Sequence, residues 1–280
     1  MNIEVFSRKR SELGESCCWH RGRGSLFWVD ILSKKIYEKF HNSKENIWGL
    51  ECIPSVVFEV ENCQDRLWVL TNIGLLLLNL NDGSYIVSHQ LVELNEGMRT
   101  NDAGVDPDGN LVYGTMYVDP KKGFGSIYRL NKDSSVNLLR EYISIPNTFV
   151  WGGSENDLYS ADSFVKKMYK YNYKSDLDRE CFFSEKNGEP DGSVMDEEEN
   201  IWTAFWGAGC VIKYNLMGEV LEKINLPVRN PTSCDMDHEG NMYVTTASIG
   251  SREKELDGCV LKFKTNANPK GKNFLKFPMN

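Results

Sequence analysis

The chain has 280 residues, a net charge of −8 and a pI of about 5.2. This acidic balance argues against a nucleic-acid or anionic-membrane partner, which would favour a basic surface. No apolar run approaches the length of a membrane span, and the first ten residues lack the apolar stretch of a signal peptide, so we expect a cytoplasmic protein.

A strand pattern opens the chain, and a repeat occupies the rest of it. Residues 2–7 alternate like a half-buried strand. Downstream, small or polar residues followed by Leu, Ile or Met recur six times, with the aliphatic residue at Leu26, Leu67, Leu111, Leu158, Ile201 and Met242. The spacings are 41, 44, 47, 43 and 41 residues. Periods of roughly 40–50 residues in an all-β chain indicate propeller blades. We therefore predict an all-β, six-bladed β-propeller that forms one domain over residues 1–280.

The same pattern predicts how the ring of blades closes. Segments that alternate apolar and polar side chains follow most of the repeats, and turn signals such as Asp106-Pro107-Asp108-Gly109 separate them. A fan of sheets would leave an unpaired edge. We therefore expect the strand at residues 2–7 to complete the last blade.

The cysteines indicate a reducing environment. None of the eight forms a Cys-x-x-Cys pair, which argues against a thiolate zinc site or a redox motif. Because they are scattered along strand patterns, we expect small buried side chains that remain reduced.

The repeat also supplies a register in which to look for function. Counting back ten or eleven residues from the aligned aliphatic position reaches a side-chain oxygen in five repeats, at Glu15, Asn101, Asn147, Asp191 and Thr232. The second repeat offers only Val56 or Val57. Equivalent positions lie at equivalent heights around a propeller axis, so these oxygens should converge at one mouth of the channel.

Two interpretations of these polar positions remain open. Oxygen ligands of mixed charge suit a hard divalent cation such as Ca²⁺, Mg²⁺ or Mn²⁺. Alternatively, they are turn residues, because Asn, Asp and Thr favour turns for reasons unrelated to metals. Trp206, which follows the fifth repeat, likewise either lines a pocket or packs in the core.

Short motifs in order along nearly the whole chain carry a family resemblance. They include Leu13-Gly14-Glu15-Ser16, Phe27-Trp28-Val29-Asp30-Ile31, Arg99-Thr100-Asn101-Asp102, Gly114-Thr115-Met116, Ala161-Asp162-Ser163, Pro190-Asp191-Gly192 and Pro231-Thr232-Ser233-Cys234. Together they resemble the senescence-marker-protein/gluconolactonase/luciferin-regenerating-enzyme family, which is six-bladed.

The resemblance implies a site at the channel mouth. It implies one divalent metal ion (Ca²⁺, Zn²⁺, Mg²⁺ or Mn²⁺) held by Glu15, Asn147 and Asp191. It places sugar-lactone contacts on Arg99 and Asn101 and, by a looser match, an acidic substrate contact on Asp119. One departure is Thr148, which stands where the family usually has glycine after the ligand asparagine.

These features predict a metal-dependent lactonase acting on a sugar lactone or a related small lactone. Asp191 would bind the metal and also relay the proton of the attacking water. Arg99 and Asn101 would hold the substrate. The alternatives are another metal-assisted esterase or phosphotriesterase, and a non-catalytic calcium-binding or scaffold propeller. The expected partner is the small-molecule lactone, and the sequence favours no particular oligomeric state.

Overall fold

Six four-stranded antiparallel sheets make up the computed structural model. It describes residues 1–42, 44–153, 157–172, 179–184, 188–251 and 255–277. Within these ranges no helix is long and apolar enough to cross a membrane, and a short 3₁₀ helix spans Ser163–Val165.

The strands follow the chain blade by blade. Blade 1 contains β2 (Gly14–His20), β3 (Ser25–Asp30), β4 (Lys35–Phe40) and β5 (Glu45–Gly49). Blade 2 contains β6 (Pro54–Glu59), β7 (Arg66–Thr71), β8 (Gly74–Asn79) and β9 (Tyr85–His89). Blade 3 contains β10 (Met98–Val105), β11 (Leu111–Tyr117), β12 (Gly125–Leu130) and β13 (Val136–Ile143).

Blade 4 contains β14 (Pro146–Gly152), β15 (Asp157–Asp162), β16 (Lys167–Tyr171) and β17 (Arg179–Ser184). Blade 5 contains β18 (Glu189–Met195), β19 (Ile201–Trp206), β20 (Cys210–Tyr214) and β21 (Val220–Asn225). Blade 6 contains β22 (Pro231–Met236), β23 (Asn241–Thr246), β24 (Val260–Lys264) and the N-terminal strand β1 (Ile3–Ser7).

The predicted ring closure is confirmed. β1 pairs antiparallel with β24, so that Ile3 lies opposite Phe263 and Val5 opposite Leu261. The first strands of neighbouring blades contact one another all the way around, including β2 with β22. The six-bladed propeller predicted from the repeat is therefore the fold that the chain adopts.

Each repeat marks the second strand of a blade. The aligned aliphatic residues lie on β3, β7, β11, β15, β19 and β23 and are almost fully buried between sheets. In three blades an Asp-x-x-x-Asn turn precedes this strand. In blade 3, for example, Asp106 Oδ1 accepts hydrogen bonds from the backbone N–H groups of Asp108 and Asn110 at 3.0 and 2.8 Å. This local bonding fixes the turn and gives the repeat its polar start.

The cysteines largely match their predicted role. All eight are free, and six of them are buried, whereas Cys63 is half-buried and Cys181 is exposed. Burial raises the pKa values of the Cys17 and Cys18 thiols, so the thiolate form is disfavoured.

A reductant should therefore leave the stability of the protein nearly unchanged. Because no disulfide constrains the unfolded chain, we expect the same melting temperature with and without dithiothreitol. Thermal unfolding followed by circular dichroism tests this, and a large decrease on reduction would contradict it.

The segment after the last strand crosses the end of the channel opposite the mouth. Lys270 N–H donates to the Met195 carbonyl at 3.0 Å, and Lys276 N–H donates to the Gly109 carbonyl at 3.0 Å. Between them, Lys272 Nζ lies 2.6 Å from Asp235 Oδ2 and donates to the Trp19 carbonyl at 2.9 Å. This crossing segment bounds a cavity of about 270 Å³ inside the channel.

Replacing Lys272 should destabilise the protein much more than replacing its neighbour Lys276. Lys272→Met leaves the Asp235 side chain, which is 5% exposed, without its cation, whereas Lys276 pairs with Glu61 at the surface. We expect the free energy of unfolding to fall by about 2–4 kcal/mol for Lys272→Met and by at most about 1 kcal/mol for Lys276→Met. Chemical denaturation measures both, and equal losses would show that the Asp235 pair contributes little.

Candidate metal and substrate site

The candidate residues lie near the beginnings of first strands, and these beginnings form one mouth of the channel. Glu15 lies on β2, Asn101 on β10, Asn147 on β14 and Asp191 on β18. Each of these strands changes register with its neighbour at or beside the candidate residue. A bulge of this kind bends the strand and redirects a side chain.

Two asparagines are joined directly. Asn101 Nδ2 donates to Asn147 Oδ1 at 2.8 Å and to the Pro146 carbonyl at 2.9 Å. Asn147 Nδ2 donates to Ser163 Oγ at 2.8 Å. With its amide nitrogen held in this way, Asn147 keeps the second lone pair of Oδ1 available for a ligand.

Arg99 forms the next part of the cluster. It is buried, and its Nη1 donates to Asn101 Oδ1 at 2.7 Å and to the Thr100 carbonyl at 2.9 Å. Burial lowers the pKa of Arg99 to about 10, against the opposing influence of the Glu15 and Asp191 charges. The guanidinium therefore stays charged at neutral pH and faces both carboxylates.

The two carboxylates repel each other. Burial, followed by the charge of Asp102, raises the pKa of Glu15 to about 8, although part of this side chain is open to solvent at the mouth. Burial, followed by the charge of Glu15, raises the pKa of Asp191 well above its usual value. Within the described ranges neither carboxylate has a Lys, Arg or His nitrogen within 4 Å.

Asp102 is a site residue to which sequence reasoning gave no role. Its Oδ2 accepts the Thr148 N–H at 2.8 Å, and its Oδ1 accepts the Ala103 N–H at 2.8 Å. Burial nevertheless raises its pKa to about 6. The residue that directly follows each aligned candidate in the sequence is small or polar in most blades. This pattern could have indicated a second layer of the site.

Thr148 has a backbone conformation that would suit the glycine that the family resemblance predicts at this position. Its φ of 57° lies in the left-handed region, which a β-branched residue rarely adopts. Its Oγ1 bonds the Asp191 carbonyl at 2.5 Å and Ser193 Oγ at 2.7 Å. Threonine therefore keeps the loop conformation of a glycine while linking blade 4 to the strand that carries Asp191.

Two substitutions distinguish the contribution of the Thr148 hydroxyl to stability from the contribution of the side-chain shape. We expect Thr148→Val, which keeps the β-branch but removes the hydrogen bonds to the Asp191 carbonyl and to Ser193 Oγ, to reduce the free energy of unfolding by about 1–3 kcal/mol. Thr148→Ser keeps the hydroxyl and should cost less than about 1 kcal/mol. Urea unfolding of both variants gives the comparison, and equal stabilities would mean that the hydroxyl bridge is energetically neutral.

Three other candidates are placed differently. Asp119 is exposed in the segment after β11, on the mouth side of blade 3, and the structure does not set it against the buried cluster. Thr232 Oγ1 donates to the Gly14 carbonyl and so links blade 6 to blade 1. Trp206 is half-buried and lines an open groove at the mouth.

Comparisons with known proteins agree with this architecture. Residues 13–248 match the SMP-30/gluconolactonase/LRE-like region, and the chain belongs to this family. It is 27% identical over 264 residues to a putative sugar lactone lactonase of Bacillus subtilis (strain 168), covering 91% of this chain and 90% of the relative. It is 26% identical over 267 residues to the L-arabinolactonase of Azospirillum brasilense, covering 90% and 86%.

A solved structure shows the same fold. The calcium-binding protein regucalcin from Agrobacterium tumefaciens str. C58 superposes with a TM-score of 0.90 at 23% identity, covering 97% of this chain and 96% of that one. At this identity the likeness concerns the fold alone.

Proposed function

We propose that this protein is a metal-dependent hydrolase that opens a sugar lactone or a related small lactone. The observation that carries the proposal is the convergence of Glu15 and Asp191 with the Asn147 amide at the channel mouth. The lactonase names of the two sequence relatives support the substrate class.

The donor set fits a divalent cation. Glu15, Asn147 and Asp191 would hold it, because two repelling carboxylates are relieved by a positive charge and all three donors are oxygens. The described residues include no group of three or more His, Cys, Asp or Glu side chains set to hold a metal; the proposed set has two carboxylates and one amide. When bound, the ion would supply Lewis acidity for the carbonyl and lower the pKa of a water molecule.

The protein side chains supply binding and proton transfer. One oxygen of the Asp191 carboxylate accepts the proton that the water loses as its oxygen bonds to the lactone carbonyl carbon. The ring C–O bond then breaks, and the same proton reaches the departing ring oxygen, giving the open hydroxy acid. Arg99 has N–H groups beyond those used by Asn101 and Thr100 and would donate them to substrate hydroxyls.

A substrate panel with a matched pair of variants tests this proposal. Aldonolactones and aryl phosphotriesters would be assayed with Ca²⁺, Mg²⁺, Mn²⁺ or Zn²⁺ after treatment with a chelator. We expect lactone opening that requires added metal, and loss of metal binding by calorimetry in Glu15→Gln but not in Glu12→Gln, since Glu12 is exposed. Full activity after chelation would contradict the metal requirement. Hydrolysis of phosphotriesters alone would favour the alternative activity.

A further inference from the structure

A second group of residues lies at the mouth, beside the proposed site. An open groove of about 450 Å³ is lined by residues of blades 4, 5 and 6, among them Lys166, Glu189, Trp206 and Arg229. Glu189 begins the strand that carries Asp191, and it lies directly opposite Trp206 in the β18–β19 ladder. Strand residues two apart are separated by roughly 7 Å, so the groove begins about one sugar ring away from Asp191.

Two basic side chains, Lys166 and Arg229, line the groove. Several basic side chains elsewhere pair with carboxylates, as Lys272 does with Asp235 and Lys213 with Asp196. Among the described residues, by contrast, no carboxylate lies within 4 Å of the Lys166 ammonium or the Arg229 guanidinium. Both cations lie in a protein whose net charge is −8.

The framework that presents these cations is well fixed. Lys166 follows the short 3₁₀ helix, and its N–H donates to the Ser163 carbonyl at 3.0 Å. The Arg229 N–H donates to Asp257 Oδ1 at 3.0 Å. Asn230, the next residue, is 2% exposed; its Oδ1 accepts the Gly207 N–H, and its Nδ2 donates to the Ile249 carbonyl. Three loops are thereby held around the groove, and the side chains of Lys166 and Arg229 line it.

We infer that this groove is a subsite for an anionic group carried by the lactone, with Lys166 and Arg229 as its ligands and Trp206 as its wall. The inference rests on the proposed lactonase function and narrows its substrate class. A phosphate ester or a carboxylate at the end of the sugar far from the reacting carbonyl has the required charge, and a guanidinium fork matches either group. Glu189 is half-buried on the Asp191 side of the groove, where Lys166 partly offsets its charge.

The test compares neutral and anionic lactones. δ-Gluconolactone, its 6-phosphate and glucaro-1,4-lactone would be assayed with the wild type, Lys166→Gln, Arg229→Gln and the double variant. Arg66→Gln is the matched control, because Arg66 is exposed at the start of β7 on the opposite face. The anionic lactone that is preferred more strongly over the neutral lactone, the phosphate or the carboxylate, identifies the anion that the subsite binds.

We expect the wild type to prefer an anionic lactone over the neutral one in kcat/KM, and added salt to weaken the preference. The double variant should lose about tenfold on the anionic substrate, since each partly exposed ionic contact contributes up to about fivefold. Its kcat/KM on δ-gluconolactone should stay within about twofold of wild type. An unchanged ratio of anionic to neutral substrate in the double variant would overturn the subsite.

A binding measurement keeps this inference separate from the proposed function. Gluconate and 6-phosphogluconate would be titrated into the metal-loaded protein by calorimetry. If no lactone is opened, the proposed function fails, whereas tighter binding of 6-phosphogluconate that disappears in the double variant still supports the subsite. If the wild type binds the two acids equally well, the subsite does not bind a phosphate. Glucarate, titrated in the same way, tests whether the subsite binds a carboxylate.

Discussion

Asp191→Asn is expected to abolish turnover and to weaken divalent-cation binding, although it barely changes the size of the side chain. The substitution removes a charged ligand and the proposed proton acceptor together, and loss of a general base alone costs roughly 10²–10⁴-fold in rate. Steady-state assays and calorimetry measure the two effects. Unchanged cation binding would remove Asp191 from the ligand set.

The same variant should be more stable than the wild type when metal is withheld. Glu15 and Asp191 have raised pKa values in the folded protein, so the folded chain binds more protons than the unfolded chain between pH 4.5 and about 8. Stability contributed by these groups is therefore lost as the pH rises through that window. The amide that replaces the Asp191 carboxylate carries no charge, so the penalty at pH 8 should shrink.

Melting temperatures in a chelator at pH 5 and pH 8 give the comparison. We expect Asp191→Asn to melt a few degrees above wild type at pH 8 and to differ less at pH 5. Asp108→Asn is the control, because Asp108 is an exposed turn residue away from the cluster. A variant that melts below wild type at pH 8 would show that the Asp191 charge stabilises the metal-free protein.

Arg99→Met is the second substitution with a large expected effect, and it should lower turnover without lowering cation affinity. Arg99 faces Glu15 and Asp191 as a positive charge. Its removal should leave cation affinity unchanged or raise it, because a repelling charge is lost. Turnover should fall about ten- to a hundredfold, the effect of losing roughly 1–3 kcal/mol of substrate contact.

The bond from Arg99 to Asn101 makes a second comparison useful. Asn101→Ala removes a neutral partner of the same network and should lower kcat/KM less than Arg99→Met does. Melting curves of both variants distinguish a substrate contact from a structural bridge. If Arg99→Met unfolds the protein or leaves turnover intact on every accepted lactone, Arg99 is not a substrate ligand.

The fold could be predicted from the sequence because the residues that determine it recur in every blade. Leu26 and its five equivalents occupy the same buried position of every blade, so one period predicts six sheets. The alternation at residues 2–7, together with the unpaired edge that an open ring would leave, predicted ring closure. The structure confirms it, because β1 is the fourth strand of the last blade.

The parts of the site that the sequence did not predict depend on contacts between blades. Asp102 Oδ2 accepts the N–H of Thr148, which lies 46 positions away in the chain; the polar position of Asp102 is visible in the repeat, but its partner is not. The left-handed conformation of Thr148 is equally hidden, because threonine disfavours it and the hydroxyl bonds to blade 5 accompany it. The segment that crosses the far end of the channel is not part of the sequence repeat, so the repeat does not predict its position. The roles of Glu15, Asn147, Asp191, Arg99, Asn101 and Asp119 remain predictions.

The pairing of β1 with β24 has a consequence for how the protein is made. Ile3–Ser7 leaves the ribosome before blades 1 to 5, whereas Val260–Lys264 leaves after them. During synthesis β1 therefore has no partner, and its open edge is available to neighbouring chains. The sixth blade joins the most distant pair of strands among the described residues, so we expect its completion to be a slow step of folding. The ring can therefore close only after every strand from β1 to β24 has been released from the ribosome.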